Sequence, residues 1–110
     1  MLEHAYRPMA SVVLALATTM PASAEAITSI RAAELERLVR QDCGSCHGMT
    51  LKGGLGPDIR ASRLAGSEPA ALAAIILDGV PGKPMPAWRP LISEADALWI
   101  ARYLLTETTP

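Results

Sequence analysis

The two cysteines of this 110-residue chain are separated by two residues and followed at once by a histidine, in the run Cys43-Gly44-Ser45-Cys46-His47. A disulfide between them would close a loop of only four residues, which restricts the unfolded chain very little. A structural zinc site needs four ligands, whereas residues 25–110 offer these two cysteines and a single histidine. A thioredoxin-like dithiol needs a βαβ context, and the chain shows no convincing strand pattern. The spacing therefore indicates that the two thiols and the neighbouring imidazole bind one cofactor jointly.

The same spacing is the attachment pattern of a c-type haem. Two thiols add across the two vinyl groups of one porphyrin, and two intervening residues let both sulfurs reach the same ring. The imidazole of His47 is then carried under the iron as the proximal axial ligand. We therefore expect one covalently attached haem c on Cys43 and Cys46, with His47 as a metal ligand.

Residues 1–24 have the regions of a secretory signal peptide. An uncharged, mostly apolar stretch runs from Met9 to Met20, and Ala22-Ser23-Ala24 supplies small residues at the positions that a signal peptidase reads. The stretch is shorter than the roughly 20 residues that a membrane-spanning helix needs, which disfavours an uncleaved anchor. We expect cleavage after Ala24, a mature domain of residues 25–110, a periplasmic location and no stable insertion in the membrane.

The composition favours one small helical domain. Half of the residues are hydrophobic, but the only aromatic ones are two Trp and two Tyr, so Ala, Leu, Ile and Val dominate. The net charge is −1 and no run of Lys or Arg is present, which argues against nucleic acid as a partner. A domain of this size with so few aromatic side chains builds a thin core, and a large cofactor would complete it. The composition therefore predicts an all-α fold around the haem.

Capping residues and apolar periodicity place the first and last helices. Thr28 or Ser29 caps the first helix, which covers Ile30–Gln41 and leads directly into the cysteine motif. The last helix opens at Ser93 with Asp96 three residues on, a variant of the capping box, and frays near its C-terminal threonines.

A middle helix is marked by Ser67 as its N-cap, Pro69 in its first turn and Gly79 as its stop. Its predicted apolar face consists of Leu72, Ile75 and Ile76.

Two methionines could supply the second axial ligand. Met49 lies two residues after His47 and is therefore tied to the proximal side of the ring. Met85 lies in the segment from Val80 to Pro90, whose four prolines make a stiff loop that cannot be helical. Because a stiff loop loses little entropy when it holds a ligand in place, Met85 is the expected distal ligand.

With these residues in place, the sequence resembles the class I c-type cytochromes over about residues 30–105. The matching segments are CGSCH, Gly56-Pro57, the Met-Pro-x-Trp from Met85 to Trp88, and SEADALWIARYLL near the C-terminus. LKGGLGPDI, ILDGVPGKPMPAWRPLIS and the short length are most similar to the small monohaem cytochromes associated with dissimilatory cytochrome cd-type nitrite reductase.

The resemblance implies an all-α class I monohaem cytochrome c fold whose first and last helices cross, with the haem in a cleft between the loops. It implies that the carbonyl of Pro57 accepts the second ring N–H of His47 and fixes its tautomer. Trp88 would lie beside the haem with its indole N–H near a propionate, although core packing explains a tryptophan there equally well. The arginines that could pair with the propionates are Arg60, Arg63 and Arg89.

An iron bound by both His47 and Met85 has no open position, so we expect a carrier of single electrons rather than an enzyme. The resemblance makes nitrite reductase, or an enzyme that matures its haem, the expected partner of a monomeric protein. One alternative is a general periplasmic carrier to a terminal oxidase. A gas-binding protein or enzyme with five-coordinate haem would require Met85 to be structural or readily displaced, and a chaperone-like role in haem maturation is a further alternative.

Docking is expected to use a small apolar patch, because a net charge near zero gives little long-range steering. The residues expected around the exposed haem edge are Gly44, Gly53, Gly54 and the Pro84-Met85-Pro86 loop.

Overall fold

The computed structural model describes residues 26–106 and two isolated residues before them, Ala15 and Ala17. Within residues 26–106, all the regular structure is helical. The elements are α1 (Ser29–Leu38), a π-helical turn (Val39–Cys43), α2 (Gly44–His47), α3 (Ala61–Leu64), α4 (Pro69–Asp78) and α5 (Glu94–Thr106). No strand occurs within these residues, and the predicted all-α fold is confirmed.

The expected signal peptide, residues 1–24, and its cleavage site after Ala24 lie outside the described residues, but for the two isolated alanines. Among the helices that are described, none is long and apolar enough to cross a membrane.

The first helix begins as predicted and continues further than predicted. The hydroxyl of Thr28 accepts a hydrogen bond from the backbone N–H of Arg31 at 3.1 Å, so Thr28 is the N-cap. After Leu38 the helix widens into the π-helical turn and then resumes as α2 through His47. Cys43 lies four residues after the buried Val39, on the same side of the helix, and is partly buried against the core.

The last helix has the capping box that its sequence predicts. The backbone N–H of Asp96 donates to the Ser93 hydroxyl at 3.0 Å, and the backbone N–H of Ser93 donates to the Asp96 carboxylate at 3.1 Å. One helical turn apart, the rings of Trp99 and Tyr103 stack with their centroids 5.1 Å apart. The reciprocal hydrogen bonds of Ser93 and Asp96 explain why α5 begins at Glu94.

The prediction for α4 is wrong in two details. Glu68, not Ser67, takes the N-cap position, because Pro69 excludes the helical conformation at the residue before it. The buried side chains of α4 are Ala73 and Leu77, not the predicted apolar face. Of that face, Ile75 is 46% exposed and the two others are half-buried, and α4 packs against α5 with Ala73 and Leu77 buried instead.

The core lies where α5 packs against α1, α3 and α4. Small side chains at Ala97 and Ala101 of α5 are fully buried and let the other helices approach closely. One further core residue, Leu51, comes from the loop after α2 and adopts a φ of 60° with its side chain 3% exposed. The other buried hydrophobic residues are Leu35, Val39, Ala73, Leu77, Ile92, Ile100 and Leu104.

Candidate functional site

The two cysteines lie on one side of a continuous helical segment. Cys43 ends the π-helical turn, Cys46 belongs to α2, and side chains three residues apart on a helix are neighbours. Cys43 is half-buried against the core and Cys46 is exposed, and no disulfide joins them. Burial raises the pKa of the Cys43 thiol to about 11, the opposite of the lowered pKa that a catalytic dithiol needs. The pair is therefore arranged for attachment to one group on that side of the helix.

A backbone carbonyl group fixes the orientation of the His47 imidazole. Its Nδ1 lies 2.7 Å from the carbonyl oxygen of Pro57. Since a carbonyl oxygen can only accept, Nδ1 carries the proton and Nε2 keeps its lone pair. This is the tautomer that binds a metal through Nε2, with the other nitrogen oriented by a backbone carbonyl.

A glycine-rich loop, residues 48–60, holds the Pro57 carbonyl in that place. The backbone N–H of Gly53 donates to the His47 carbonyl at 2.7 Å, and that of Gly56 donates to the Cys46 carbonyl at 2.8 Å. A Cβ on Gly56 would lie 2.8 Å from two atoms of the His47 ring. Only glycine therefore lets the loop close over the ring.

The other expected ligand, Met85, lies on a second loop between α4 and α5. It is half-buried between the exposed Pro84 and Pro86. Trp88, in the same loop, packs against the core and donates its backbone N–H to the carbonyl of Ile76 in α4 at 3.1 Å. The structure thus brings Cys43, Cys46, His47 and Pro57 together, and places Met85 and Trp88 on a separate loop.

Met49 is exposed over 70% of its surface. Its sulfur would lie 3.6 Å from a Cβ placed on Gly44, beside the helix that carries the cysteines. This agrees with the assignment of Met49 to the side of His47. Gly44 itself is buried, so the expectation that it borders an exposed docking patch is wrong; Gly53 and Gly54 are exposed.

The three arginines considered for propionates already contact carboxylates. Arg60 binds Asp58 through Nε and a terminal nitrogen, the shortest distance being 2.7 Å, and lowers the pKa of Asp58 to about 2. Arg89 binds Asp78 through two nitrogens at 2.8 and 2.9 Å. Arg63 approaches Asp58 only to 3.6 Å, with a side chain 72% exposed. Of the three arginines, Arg63 makes the longest contact with a carboxylate.

Sequence reasoning missed the roles of Leu51, Asp58 and Gly79. Asp58 follows Pro57 directly and accepts the backbone N–H of Arg60 at 3.0 Å, which fixes the end of the glycine-rich loop. An Asp two residues before the N-cap of a helix, here Arg60 of α3, is a signal that could have identified this turn. The sequence around Gly79 gives no comparable signal of its contact with the Met85 loop, because the contact depends on residues farther along the chain.

These residues fit a haem. The donor set combines two thiols on one helix side, an imidazole with a free Nε2 and a thioether on a separate loop. Side chains that pack against the core while remaining partly open offer apolar surface to a flat ring, among them Ile59, Leu64, Leu72 and Ile76. Within residues 26–106, no cluster of three or more His, Cys, Asp or Glu side chains is suited to a bare metal ion.

Comparison with known proteins gives one family. Residues 30–104 match the family described as cytochrome C oxidase, cbb3-type, subunit III. The chain is 62% identical over 76 residues to a cytochrome c55X of Paracoccus denitrificans, which covers 68% of this chain and 74% of that protein. A cytochrome c55X of Pseudomonas aeruginosa is 48% identical over 75 residues, covering 68% of this chain and 63% of that protein.

Two solved structures are also similar. The c-type cytochrome NirC matches with a TM-score of 0.71 and 44% identity, over 76% of this chain and 99% of that one. The dihydro-heme d1 dehydrogenase NirN, in complex with DHE, matches with a TM-score of 0.62 and 32% identity, over 68% of this chain but 16% of that one. The similarity to NirC extends over nearly its whole length and includes the helical fold described above.

Proposed function

The chain belongs to the cytochrome c family that its residues 30–104 match, and from this premise we propose that it carries single electrons between enzymes of the nitrite reductase system. It is a class I monohaem c-type cytochrome with one covalently attached haem c. The observation that carries the proposal is the His47 ring, whose Nδ1 is engaged at 2.7 Å by Pro57 while Nε2 is left to bind iron.

Each element of the site has a proposed role in holding the haem. Cys43 and Cys46 would form the two thioether bonds to the haem, and His47 would bind the iron through Nε2. The sulfur of Met85 would supply the second iron ligand. Pro57 orients the His47 ring, and Trp88 packs beside the haem.

These roles support a carrier rather than an enzyme. The iron supplies one-electron redox chemistry, and Met/His ligation favours a high reduction potential. His47 and Met85 together leave no position for a substrate. Trp88 packs against the core beside the Met85 loop, and its ring would shield that side of the haem from water.

The proposed partners are nitrite reductase and the enzymes that mature its haem. In the dihydro-heme d1 dehydrogenase, a segment similar to this chain makes up a small part of a larger enzyme. A dehydrogenation releases electrons, and a haem carrier of this kind can take them one at a time. We propose that this chain performs such transfers as a separate, monomeric protein in the periplasm, exported by residues 1–24.

Mixing experiments test the partner. The reduced protein is mixed with a cytochrome cd-type nitrite reductase, and separately with a terminal oxidase, while the haem absorbance is followed. The oxidised protein is mixed in parallel with a dihydro-haem d1 dehydrogenase and its substrate. Transfer with either enzyme of the nitrite reductase system supports the proposal, and transfer only to the oxidase contradicts it.

Attachment and ligation need their own measurements. Mass spectrometry of the exported holoprotein should show one added haem and a mature chain that begins at Glu25. An unmodified mass with free thiols would contradict attachment at Cys43 and Cys46, and a start at Met1 would contradict export. The reduced protein should not bind CO, because binding requires a free axial position. Rapid CO binding would favour the five-coordinate alternative.

A further inference from the structure

The loop that carries Met85 is closed onto the end of α4 by backbone hydrogen bonds. The N–H groups of Trp88 and Arg89 donate to the carbonyls of Ile76 and Leu77 at 3.1 and 3.0 Å. The last carbonyls of a helix have no partner within the helix, so the returning loop satisfies them. The two ends of the loop are thereby held together without any contribution from the Met85 side chain.

An ion pair strengthens the same closure. Asp78, the last residue of α4, accepts two hydrogen bonds from the Arg89 guanidinium, at 2.8 and 2.9 Å. Both side chains are about half exposed, and the pair adds orientation more than stability. It holds the base of the loop in one register on α4.

Gly79 lies at the point where the loop and the helix end touch. Its φ is 69° and its ψ is −169°, a combination that is essentially restricted to glycine. A Cβ at this position would lie 2.7 Å from the carbonyl oxygen of Met85 and 3.0 Å from the backbone nitrogen of Ala87. On the other side of the contact, the N–H of Val80 donates to the same Met85 carbonyl at 3.3 Å.

The atoms that a side chain at 79 would meet are all backbone atoms of the Met85 segment. They cannot rotate away, so the peptide that carries Met85 would have to move by several tenths of an ångström or more. A ligand constellation tolerates only about 0.5 Å of displacement from its productive geometry. A Cβ at Gly79 would therefore shift the backbone of Met85, and with it the side chain that carries the sulfur.

We propose that Gly79 is a positioning residue for the distal ligand: it lets the C-terminal end of α4 hold the Met85 loop in its iron-binding position before any bond to iron forms. This inference rests on the proposed role of Met85 as axial ligand. The fold, not the metal, then sets the place of the sulfur, and the bond requires little further ordering of the loop.

The test compares Gly79→Ala with Gly82→Ala in the holoprotein. Gly82 lies in the same loop with a similar φ of 75°, but a Cβ there meets no atom within 4 Å. Gly79→Ala should lose at least half of the weak far-red sulfur-to-iron band of the ferric form and should bind added imidazole at least tenfold more tightly. Gly82→Ala should keep the band and the imidazole affinity of the unmodified protein. Equal behaviour of the two variants overturns the proposal.

A second measurement needs no substitution at Gly79. In Met85→Ala, the amide hydrogens of Val80, Trp88 and Arg89 should stay as protected from exchange as in the unmodified protein. A loss of their protection by tenfold or more would show that the iron bond organises the loop, and would overturn the proposal.

The same variant separates this inference from the proposed function. If Met85→Ala keeps the far-red band, Met85 is not the ligand, and the role that the proposed function gives to Met85 is wrong. If Met85→Ala loses the band while Gly79→Ala keeps it, the ligand assignment stands and the positioning role of Gly79 is wrong.

Discussion

The guanidinium of Arg31 binds the carboxylate of Asp96 across 65 residues of chain, with Nε 3.1 Å from one oxygen and a terminal nitrogen 2.7 Å from the other. The contact joins the first turn of α1 to the first turn of α5. Asp96 is only 6% exposed and also accepts the backbone N–H of Ser93. One carboxylate therefore caps α5 and fixes the first helix against the last.

Replacing Asp96 should destabilise the domain. We expect Asp96→Ala to lower the free energy of unfolding by about 1–3 kcal/mol, because a helix cap and a charge-assisted contact are lost together. Guanidinium unfolding of the holoprotein, followed by circular dichroism, measures the change. The control is Glu34→Gln, which removes the negative charge of the exposed Glu34 beside Arg31 on the same helix and should cost less than about 0.5 kcal/mol. Equal losses in the two variants would contradict the assigned importance of Asp96.

The contribution of Asp96 should also depend on pH. Hydrogen bonds from Arg31 hold the pKa of Asp96 below its usual value. A carboxyl whose pKa is lowered in the folded state stabilises the fold above its unfolded pKa of about 3.9, and loses this contribution as the pH falls through the folded pKa. The difference in unfolding midpoint between the unmodified protein and Asp96→Asn should therefore be full at neutral pH and shrink below about pH 4. A difference that stays constant down to about pH 2 would contradict the linkage.

The N-terminal ends of α1 and α5 could be predicted because their signals are local. The hydroxyl of Thr28 accepts the backbone N–H of Arg31, three residues further along the chain. Ser93 and Asp96 exchange hydrogen bonds at the same spacing. The Arg31–Asp96 contact could not be predicted, since no pattern within either helix records which residues meet across the fold.

Errors in α4 and in the end of α1 have the same origin. The choice of Ala73 rather than Ile75 as a buried residue depends on how closely α5 approaches, which the helical period does not specify. The π-helical turn that ends at Cys43 likewise has no signal in the helical period of the sequence.

In the candidate site, the spacing of Cys43, Cys46 and His47 is a local signal, and it was sufficient to predict the cofactor. The position of Met85 could be inferred only as a stiff loop between two helices. Its close contact with Gly79 depends on the backbone path of the whole loop, which no short sequence pattern specifies.

A side chain at Gly56 should disturb His47, the proposed proximal ligand. A Cβ there would lie 2.8 Å from Nδ1 of His47, so Gly56→Ala should displace the ring and weaken its hydrogen bond to Pro57. A less basic imidazole stabilises ferric iron less, and the reduction potential should rise by about 59 mV for each tenfold loss of preference for the ferric state. Redox titration of the holoprotein measures this.

The control for that substitution is Gly44→Ala. A Cβ on Gly44 meets its nearest neighbour, Met49, at an ordinary distance of 3.6 Å. This variant should keep the potential and gain a little helix stability. An unchanged potential in Gly56→Ala, with haem still attached, would mean that the ring tolerates the added atom and that the loop does not fix its orientation.

We expect the partner to dock on the glycine-rich loop and on the loop that carries Met85. The exposed residues of the two loops include Gly53, Gly54, Pro84 and Pro86, which favour a small apolar contact. Electron-transfer interfaces are of this weak kind, with less than about 1,200 Å² buried in total. With a net charge of −1, the rate of electron transfer to a cytochrome cd-type nitrite reductase should fall by less than about threefold as added salt shortens the Debye length from roughly 30 to 8 Å.

Each loop also carries one exposed lysine, Lys52 or Lys83, and these residues decide between apolar docking and charge steering. If the apolar contact dominates, Lys52→Gln and Lys83→Gln should change the transfer rate no more than Arg102→Gln, a substitution on α5 outside both loops. If an acidic partner is steered by these lysines, the two loop variants should be slower at low salt and the salt dependence of the unmodified protein should be steep, by about tenfold or more. That result would replace the apolar patch with a pair of charged contacts on the same two loops.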